Sequence, residues 1–298
     1  MTIKKPYLLT GGLVPLIENR HRISLSEPTR ESLRSLEKSY FGAASALLNG
    51  REEKDESGNV KYIWDVQFIP DEVISNNLGN LIENNRTNKP LISFDDVYCQ
   101  DKPEGNYHVT RIQDPNKLDE NPELGPRFAT PELEVQVADI KERYGKEIDV
   151  MDIGVFGGDT LAREIKRFKD GGVKIGNIYV MFAGQEGIDR IANEGSDLKY
   201  VQKVDWIDWL EMRDCIGFDG RKVRMKPGKN NPENLFVRYI ERSAKWASIP
   251  EDVKHHYEGL YHSSFDMIKS ILACDGIVSD LKQSADHNQV YELRLKKK

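Results

Sequence analysis

The sequence predicts an α/β protein built on a parallel central sheet. Apolar strand-like runs alternate with helical runs between residues 131 and 204. Glycines punctuate the junctions between them. The 298 residues are 38% hydrophobic and 31% charged, enough apolar material for a packed core and too much for a disordered chain. Strands alternating with helices of this length form βαβ units whose sheet is covered on its faces. At about 150 residues per domain, the length allows two domains or one large one with an appendage.

Residues 24–50 read as a helix, with Leu33, Leu36, Tyr40 and Phe41 at helical spacing and Gly50 as its stop. An exposed turn follows at 51–59, then a strand from Val60 to Ile69, a pairing that suits a hairpin. A helix is expected over 71–85 and a strand from Leu91 to Tyr98. The segment 99–131 is rich in Pro, Asp, Asn, Glu and Gly and reads as a long loop, either a lid or a surface excursion.

A helix from Pro131 to Tyr144 is expected, with Thr130 as N-cap, Pro131 at its first position and Gly145 closing it. Then come a strand over 148–153, the turn GVFGGDT, a helix over 161–169 and a turn at Gly171-Gly172. A strand over 175–182, a helix over 187–193 and a strand over 198–204 complete the alternation. The run DWIDWLEMRD from Asp205 reads as an amphipathic helix, residues 216–231 as a polar, basic turn region, and about 232–285 as two or three helices.

Composition narrows the function classes. Forty-nine acidic against 43 basic residues leave a net charge of −6, so the whole chain carries no general attraction for nucleic acid. No apolar run approaches the ~20 residues of a membrane span. The N-terminal apolar stretch is broken by Gly11-Gly12 and Pro15 and reads as mature protein. Cys99, Cys215 and Cys274 are far apart and odd in number, which suits a reducing cytoplasm better than a disulfide framework.

The informative stretch is Ile148 to Leu161, where a buried strand meets a glycine turn and then a helix. Amides at a helix start, together with the helix dipole, favour an anion. Gly157 and Gly158 can take positive φ and let a phosphate approach the backbone, and Thr160 can add a hydroxyl donor. Asp152 falls near the carboxyl end of the strand, where α/β folds bind ligands.

This stretch resembles the phosphoribosyl-pyrophosphate loop of type I phosphoribosyltransferases. In that family an apolar strand runs into two acids, a few small residues and a Thr/Ser-Gly-x-Thr phosphate cradle. Asp152 stands at the first acid, Ile153 at the second, and Gly157-Gly158-Asp159-Thr160 at the cradle, with Gly154 ahead of it. The strand IGNIYVMF and the turn Ala183-Gly184-Gln185-Glu186-Gly187 resemble the strand and Arg-Gln-Glu-Gly turn of orotate-type members. The likeness covers about residues 146–205.

The resemblance implies a type I phosphoribosyltransferase-like core at 131–215, an N-terminal α+β hood at 1–130 and a helical C-terminal part at 216–298. It implies a pentosyl or phosphoribosyl transferase, a glycosyltransferase using phosphoribosyl pyrophosphate with a base or nucleic-acid-related acceptor. Asp152 would orient the ribose and meet magnesium, and Arg111 and Arg127 would bind the leaving group. Dimers are common in the family, so a homodimer is a further expectation.

Other readings compete for the same residues. Asp152, Gly154 and Gly158 also fit motif I of S-adenosylmethionine methyltransferases, with Phe156 at the central glycine. A degenerate nucleotide-sensing module of a phage or bacterial conflict system would keep the pocket without the chemistry, and Ile153 favours it. The glycines also suit a plain tight turn. Elsewhere, Arg221, Lys222, Arg224, Lys226 and Lys229 form the densest basic cluster, either a phosphate-binding patch or a solvated hairpin. Trp206, Trp209 and Met212 suit core or interface, Asp95-Asp96 suits an Asx turn or magnesium, and His255, His256 and His262 lack metal-ligand spacing.

Overall fold

The structure is a computed structural model. It describes residues 3–20, 22–54, 56–95, 97–113, 123–127, 130–204, 208–211, 222–225, 236–238, 249–283 and 289–295. The chain divides into two compact units. The first comprises Met1–Asp71, Gln113–Asp119 and Trp206–Lys298; the second comprises Glu72–Ile112 and Glu120–Asp205. Residues 72–112, which the sequence places with the N-terminal region, thus share a unit with the glycine turn.

In the first unit, β1 (Ile3–Thr10) leads into the short helix α1 (Leu13–Pro15) and a π-helical turn, Leu16–Arg20. Then come α2 (Glu27–Leu48), β2 (Glu52–Lys54) and β3 (Val60–Ile69). Ser26 caps α2 by accepting from the Thr29 amide at 3.4 Å. Leu33, Leu36, Tyr40, Ala44 and Leu48 form its buried stripe. Gly50 follows at φ 77°, where a side chain would be strained. β1 pairs in parallel with β3 over Ile3 to Thr10, and β2 pairs antiparallel on the outer side of β3.

The second unit holds α3 (Asp71–Asn85, whose first residue closes the first unit), β4 (Leu91–Ser93), β5 (Gly105–Asn106), β6 (Val109–Gln113) and β7 (Glu123–Pro126). It continues through α4 (Leu133–Tyr144), β8 (Glu147–Val155), α5 (Asp159–Asp170), β9 (Lys174–Gly184), α6 (Gln185–Asn193) and β10 (Asp197–Val204). Its sheet runs β10-β9-β8-β4-β5, and every pair in it is parallel. The expected α/β class with a parallel sheet is therefore present. Ile148, Val150 and Val155 of β8 pack with Val137, Ile140, Ile165 and Phe168 of α4 and α5. Met151 and Ile153 are buried as well, so β8 is apolar toward both faces, as a central parallel strand must be.

Back in the first unit, β11 (Asp208–Glu211) pairs in parallel with β1. β12 (Lys222–Met225) and β13 (Phe236–Arg238) form an antiparallel pair. A 3₁₀ turn, Glu251–Val253, leads into α7 (Lys254–Cys274), and β14 (Ile277–Gln283) and β15 (Gln289–Leu295) close the described chain as a hairpin. Tyr257 of α7 meets Tyr40 of α2 edge-on, with ring centroids 6.2 Å apart.

Five expectations are corrected. The run at 208–211 is strand, not helix: its backbone groups pair with β1, and that long-range ladder overrides helical periodicity. The C-terminal region is not purely helical, since it holds α7 together with β13, β14 and β15. The strand expected over 91–98 stops at Ser93, because the Asp95 carboxylate accepts from the amides of Val97 (2.7 Å) and Tyr98 (2.9 Å) and turns the chain. The loop expected over 99–131 contains β5 and the antiparallel pair β6–β7. At α4, Glu132 is the N-cap residue without a side-chain cap, and Thr130 Oγ1 donates to the Arg127 carbonyl at 2.7 Å.

A buried carboxylate ties the start of β8 to its surroundings. Asp149 is 1% exposed. It accepts from Thr87 Oγ1 (2.8 Å), the Asn177 amide (2.8 Å) and Asn177 Nδ2 (3.3 Å). Asp149→Ala would strand those donors in the interior. We expect it to lower the unfolding free energy of the second unit by about 3 kcal/mol, measured by denaturant unfolding followed by circular dichroism.

Candidate functional site

The chain leaves β4 toward β5 on one side of the sheet and leaves β8 toward β9 and β10 on the other. That reversal falls between β4 and β8, and the carboxyl ends of the strands at such a point are the place where open α/β sheets bind ligands. The loop after β4 and the glycine turn after β8 both lie there.

The turn after β8 is short. Gly154 is still in the strand, in register with Phe182. Phe156, Gly157 and Gly158 form the turn, and Gly158 opens α5 at φ 78° with no side-chain cap. Helix geometry leaves the first amides of α5 without intrahelical partners. Asp159 is exposed and Gly157 and Thr160 are half-buried, whereas Gly158 is buried against Gly187 and Arg190. The ring of Phe156 folds back over Gly154, where an added Cβ would lie 3.1 Å from it.

Two glycines beyond the motif hold the turn in place. A Cβ on Gly187 would lie 2.4 Å from the Phe156 carbonyl oxygen, and one on Gly184 would lie 3.0 Å from the same atom. The start of α6 therefore presses backbone to backbone against the turn. A charge network surrounds it: Arg190 pairs with Asp159 and with Glu186, the latter at 2.8 Å. Asp152 is half-buried beside it, and one of its carboxylate oxygens accepts from the Ile153 amide at 2.7 Å. The amides and α5 dipole attract an anion, whereas Asp152, Asp159 and Glu186 oppose one. A phosphate here must take Arg190 from Asp159 or arrive with a divalent cation.

The reversal point gathers some of the sequence-derived residues. Arg127 donates from Nη2 to the Phe94 carbonyl (2.9 Å) and from Nε to the Val109 carbonyl (3.1 Å). The Phe94 amide in turn donates to the Met151 carbonyl at 2.8 Å, so Arg127 stands at the end of β4 beside the strand that carries Asp152. Arg111 is exposed on β6, opposite Leu124. Asp95 is 2% exposed and forms the Asx turn. Cys99 sits in the same loop at φ 51°, and burial, then Asp101 and Asp95, push its thiol up to about 12, which makes it unreactive.

Glu186 and Phe156 entered the sequence reading only as parts of resembling motifs, and Arg190 was not singled out. The i, i+4 spacing of Glu186 and Arg190 on one helix was the available signal for that pair. Their meeting with Asp159 depends on the fold. Elsewhere, Trp209 Nε1 donates to Thr10 Oγ1 at 3.0 Å, a structural bond between β11 and β1. Trp206, Met212, Arg221 and Lys226 lie outside the described residues, and Lys222 and Arg224 are described only as backbone in β12. Among the described residues no three His, Cys, Asp or Glu side chains group to hold a metal, and no helix is long and apolar enough to cross a membrane.

A separate groove of about 690 Å³ lies between α4 and α5, lined by Glu134, Val137, Lys141, Arg163 and Lys166. Arg167, also in its wall, pairs with Glu134 and with the buried Glu164 (3.2 Å). Glu164 accepts a hydrogen bond from the buried Tyr107 hydroxyl. Burial raises both the Tyr107 hydroxyl and the Glu164 carboxyl above their ordinary values.

A scan against protein-family models finds no match for the chain, and a search of curated proteins finds none.

Proposed function

We propose that the second unit binds a phosphorylated or nucleotide-linked pentose at the β4–β8 reversal point. On this reading the protein is a glycosyltransferase that moves a phosphoribosyl group from phosphoribosyl pyrophosphate to a base or nucleic-acid-related acceptor. One observation carries the reading: a helix start without a side-chain cap, entered through Gly158 at positive φ, beside the reversal point of a parallel sheet. The α5 amides would hold the 5′-phosphate, and Asp152 would accept from the ribose hydroxyls. Arg127, already fixed by two backbone carbonyls, would turn its remaining donors to the pyrophosphate.

Magnesium fits this donor set in a limited way. It is commonly bound by one or two carboxylates, substrate phosphates and its own waters, and Asp152 is the carboxylate at the reversal point outside the Arg190 network. The ion would supply charge neutralisation on the departing pyrophosphate. Asp152 would position the sugar, and the amides would anchor its far end.

The test is titration calorimetry with phosphoribosyl pyrophosphate, with and without magnesium. We expect binding that strengthens with magnesium. Asp152→Asn should weaken it about tenfold, the worth of one hydrogen bond to a charged group, and leave the circular dichroism spectrum unchanged. No heat from this ligand or from ribose 5-phosphate would sink the proposal. A second reading has its own support: Ile153 is 3% exposed, so the position of the family's second acid lies in the core. Binding without pyrophosphate release across a panel of bases would favour that reading, a nucleotide sensor. The S-adenosylmethionine reading has less support, because the Phe156 ring covers Gly154.

A further inference from the structure

The outer strand of the second unit's sheet is written in a self-complementary way. Among the described residues β10 is an edge strand, paired with β9 alone. An edge of eight residues presents a row of backbone donors and acceptors that can template another strand. Asp197, Tyr200, Val201, Gln202 and Lys203 are exposed along it. Tyr200 and Val201 are adjacent exposed large hydrophobics, each 37% accessible.

We propose that β10 pairs antiparallel with β10 of a second copy, in a register centred on Tyr200. A two-fold contact sets residue i against j and j against i. Centred on Tyr200, the sequence DLKYVQK places Asp197 opposite Lys203 at both ends. The two tyrosines then meet at the middle, and each Val201 faces the stem of the partner's lysine at 199. Opposite charges across an antiparallel pair stabilise it, whereas like charges directly opposite destabilise it. Shifting the centre to residue 199 sets Lys199 against itself. Shifting it to residue 201 sets Lys199 against Lys203, and centres between residues leave Asp197 without a cationic partner. A centre at residue 198 also sets Asp197 against a lysine, Lys199, but it overlaps only residues 197–199 of the strand, whereas the centre at Tyr200 overlaps residues 197–203; charge and overlap together select that register. The pairing joins two five-stranded sheets into one continuous sheet and covers the edge in both copies.

One strand pair buries less surface than a standard stable interface, so the dimer is of micromolar rather than nanomolar strength. Lysines on an edge can instead guard it against any partner. Within one copy Asp197 pairs with Lys199 at 2.6 Å, which gives the acid a role on a guarded edge as well, and the two accounts separate in solution.

The experiment is sedimentation equilibrium of the full chain from low micromolar to several hundred micromolar, in low salt. The wild type is expected to show a concentration-dependent monomer–dimer equilibrium. Asp197→Lys alone and Lys203→Asp alone each place like charges opposite one another twice. Each should weaken the dimer about tenfold. The double variant, Asp197→Lys with Lys203→Asp, restores opposite charges at both ends and should recover wild-type association. Both positions are exposed, and circular dichroism checks that each variant is folded. A chain that stays monomeric throughout, or a dimer indifferent to the single reversals, overturns the proposal. So does a double variant no tighter than the singles.

Discussion

Glu37→Gln is expected to leave stability unchanged at about pH 4 and to raise it by about 3 kcal/mol at about pH 8. Glu37 lies on the inner face of α2 and is 1% exposed. One of its oxygens accepts from the amides of Gly12 (2.7 Å) and Leu13 (2.8 Å), at the start of α1. Gly11 leaves room for it: a Cβ there would lie 3.1 Å from the other carboxylate oxygen. Burial pushes the carboxyl up from 4.5 to about 7. The two amides and Arg34 oppose the rise, and Asp71 adds to it.

The folded state therefore holds a proton that the unfolded chain gives up at the ordinary value. Stability from this group is full below about 4.5, falls as pH rises, and levels off above about 7. A shift of this size corresponds to about 3 kcal/mol. Glutamine keeps the acceptor for both amides and carries no charge to desolvate. All four tryptophans belong to the first unit, so tryptophan fluorescence follows its unfolding selectively. Denaturation midpoints across this pH range should converge for the two proteins in acid and separate in base. Parallel curves would mean that Glu37 does not change its charge on unfolding.

Gly187→Ala is expected to destabilise the second unit by about 3 kcal/mol, the upper end of what overpacking costs. Its Cβ would come within 2.4 Å of the Phe156 oxygen, 2.8 Å of Val155 Cγ1 and 2.9 Å of the Val155 oxygen. Two of these three are backbone atoms, which cannot rotate aside. Relief requires α6 to move away from the turn, carrying Arg190 from Asp159. Gly157→Ala is the contrasting substitution, since its Cβ would meet only Glu186 Oε2 at 3.9 Å, an ordinary contact. Hydrogen exchange of the α5 and β8 amides reads both variants. Faster exchange in Gly187→Ala alone is the expected result. Equal behaviour would show that the junction has slack. If the reversal point binds a sugar phosphate, Gly187→Ala should also lose that binding.

The contrast between these glycines shows where sequence reading succeeded. Gly157 and Gly158 announce a turn because they sit between an apolar strand and an amphipathic helix, and the turn is there. Gly184 and Gly187 carry the closer backbone approach, yet their role depends on a neighbour about thirty residues earlier in the chain. The same distinction explains β11. Trp206, Trp209 and Met212 have helical spacing, but the Asp208–Glu211 backbone finds its partners on β1, about two hundred residues earlier. It explains Arg127 too: its residue type suggested an anion ligand, and two carbonyls from separate segments hold it in place.

Local order was legible in the residues themselves: the alternation over 131–204, the helix within 24–50, and the glycine turn before α5. Each depends on contacts within a few residues or on one periodicity, which side-chain chemistry encodes directly. Strand order, the reversal between β4 and β8, the Arg190 network and the buried Glu37 came only with the tertiary structure. They arise where segments distant in sequence exclude water together, and the free energy of that exclusion belongs to the pair of surfaces rather than to either segment.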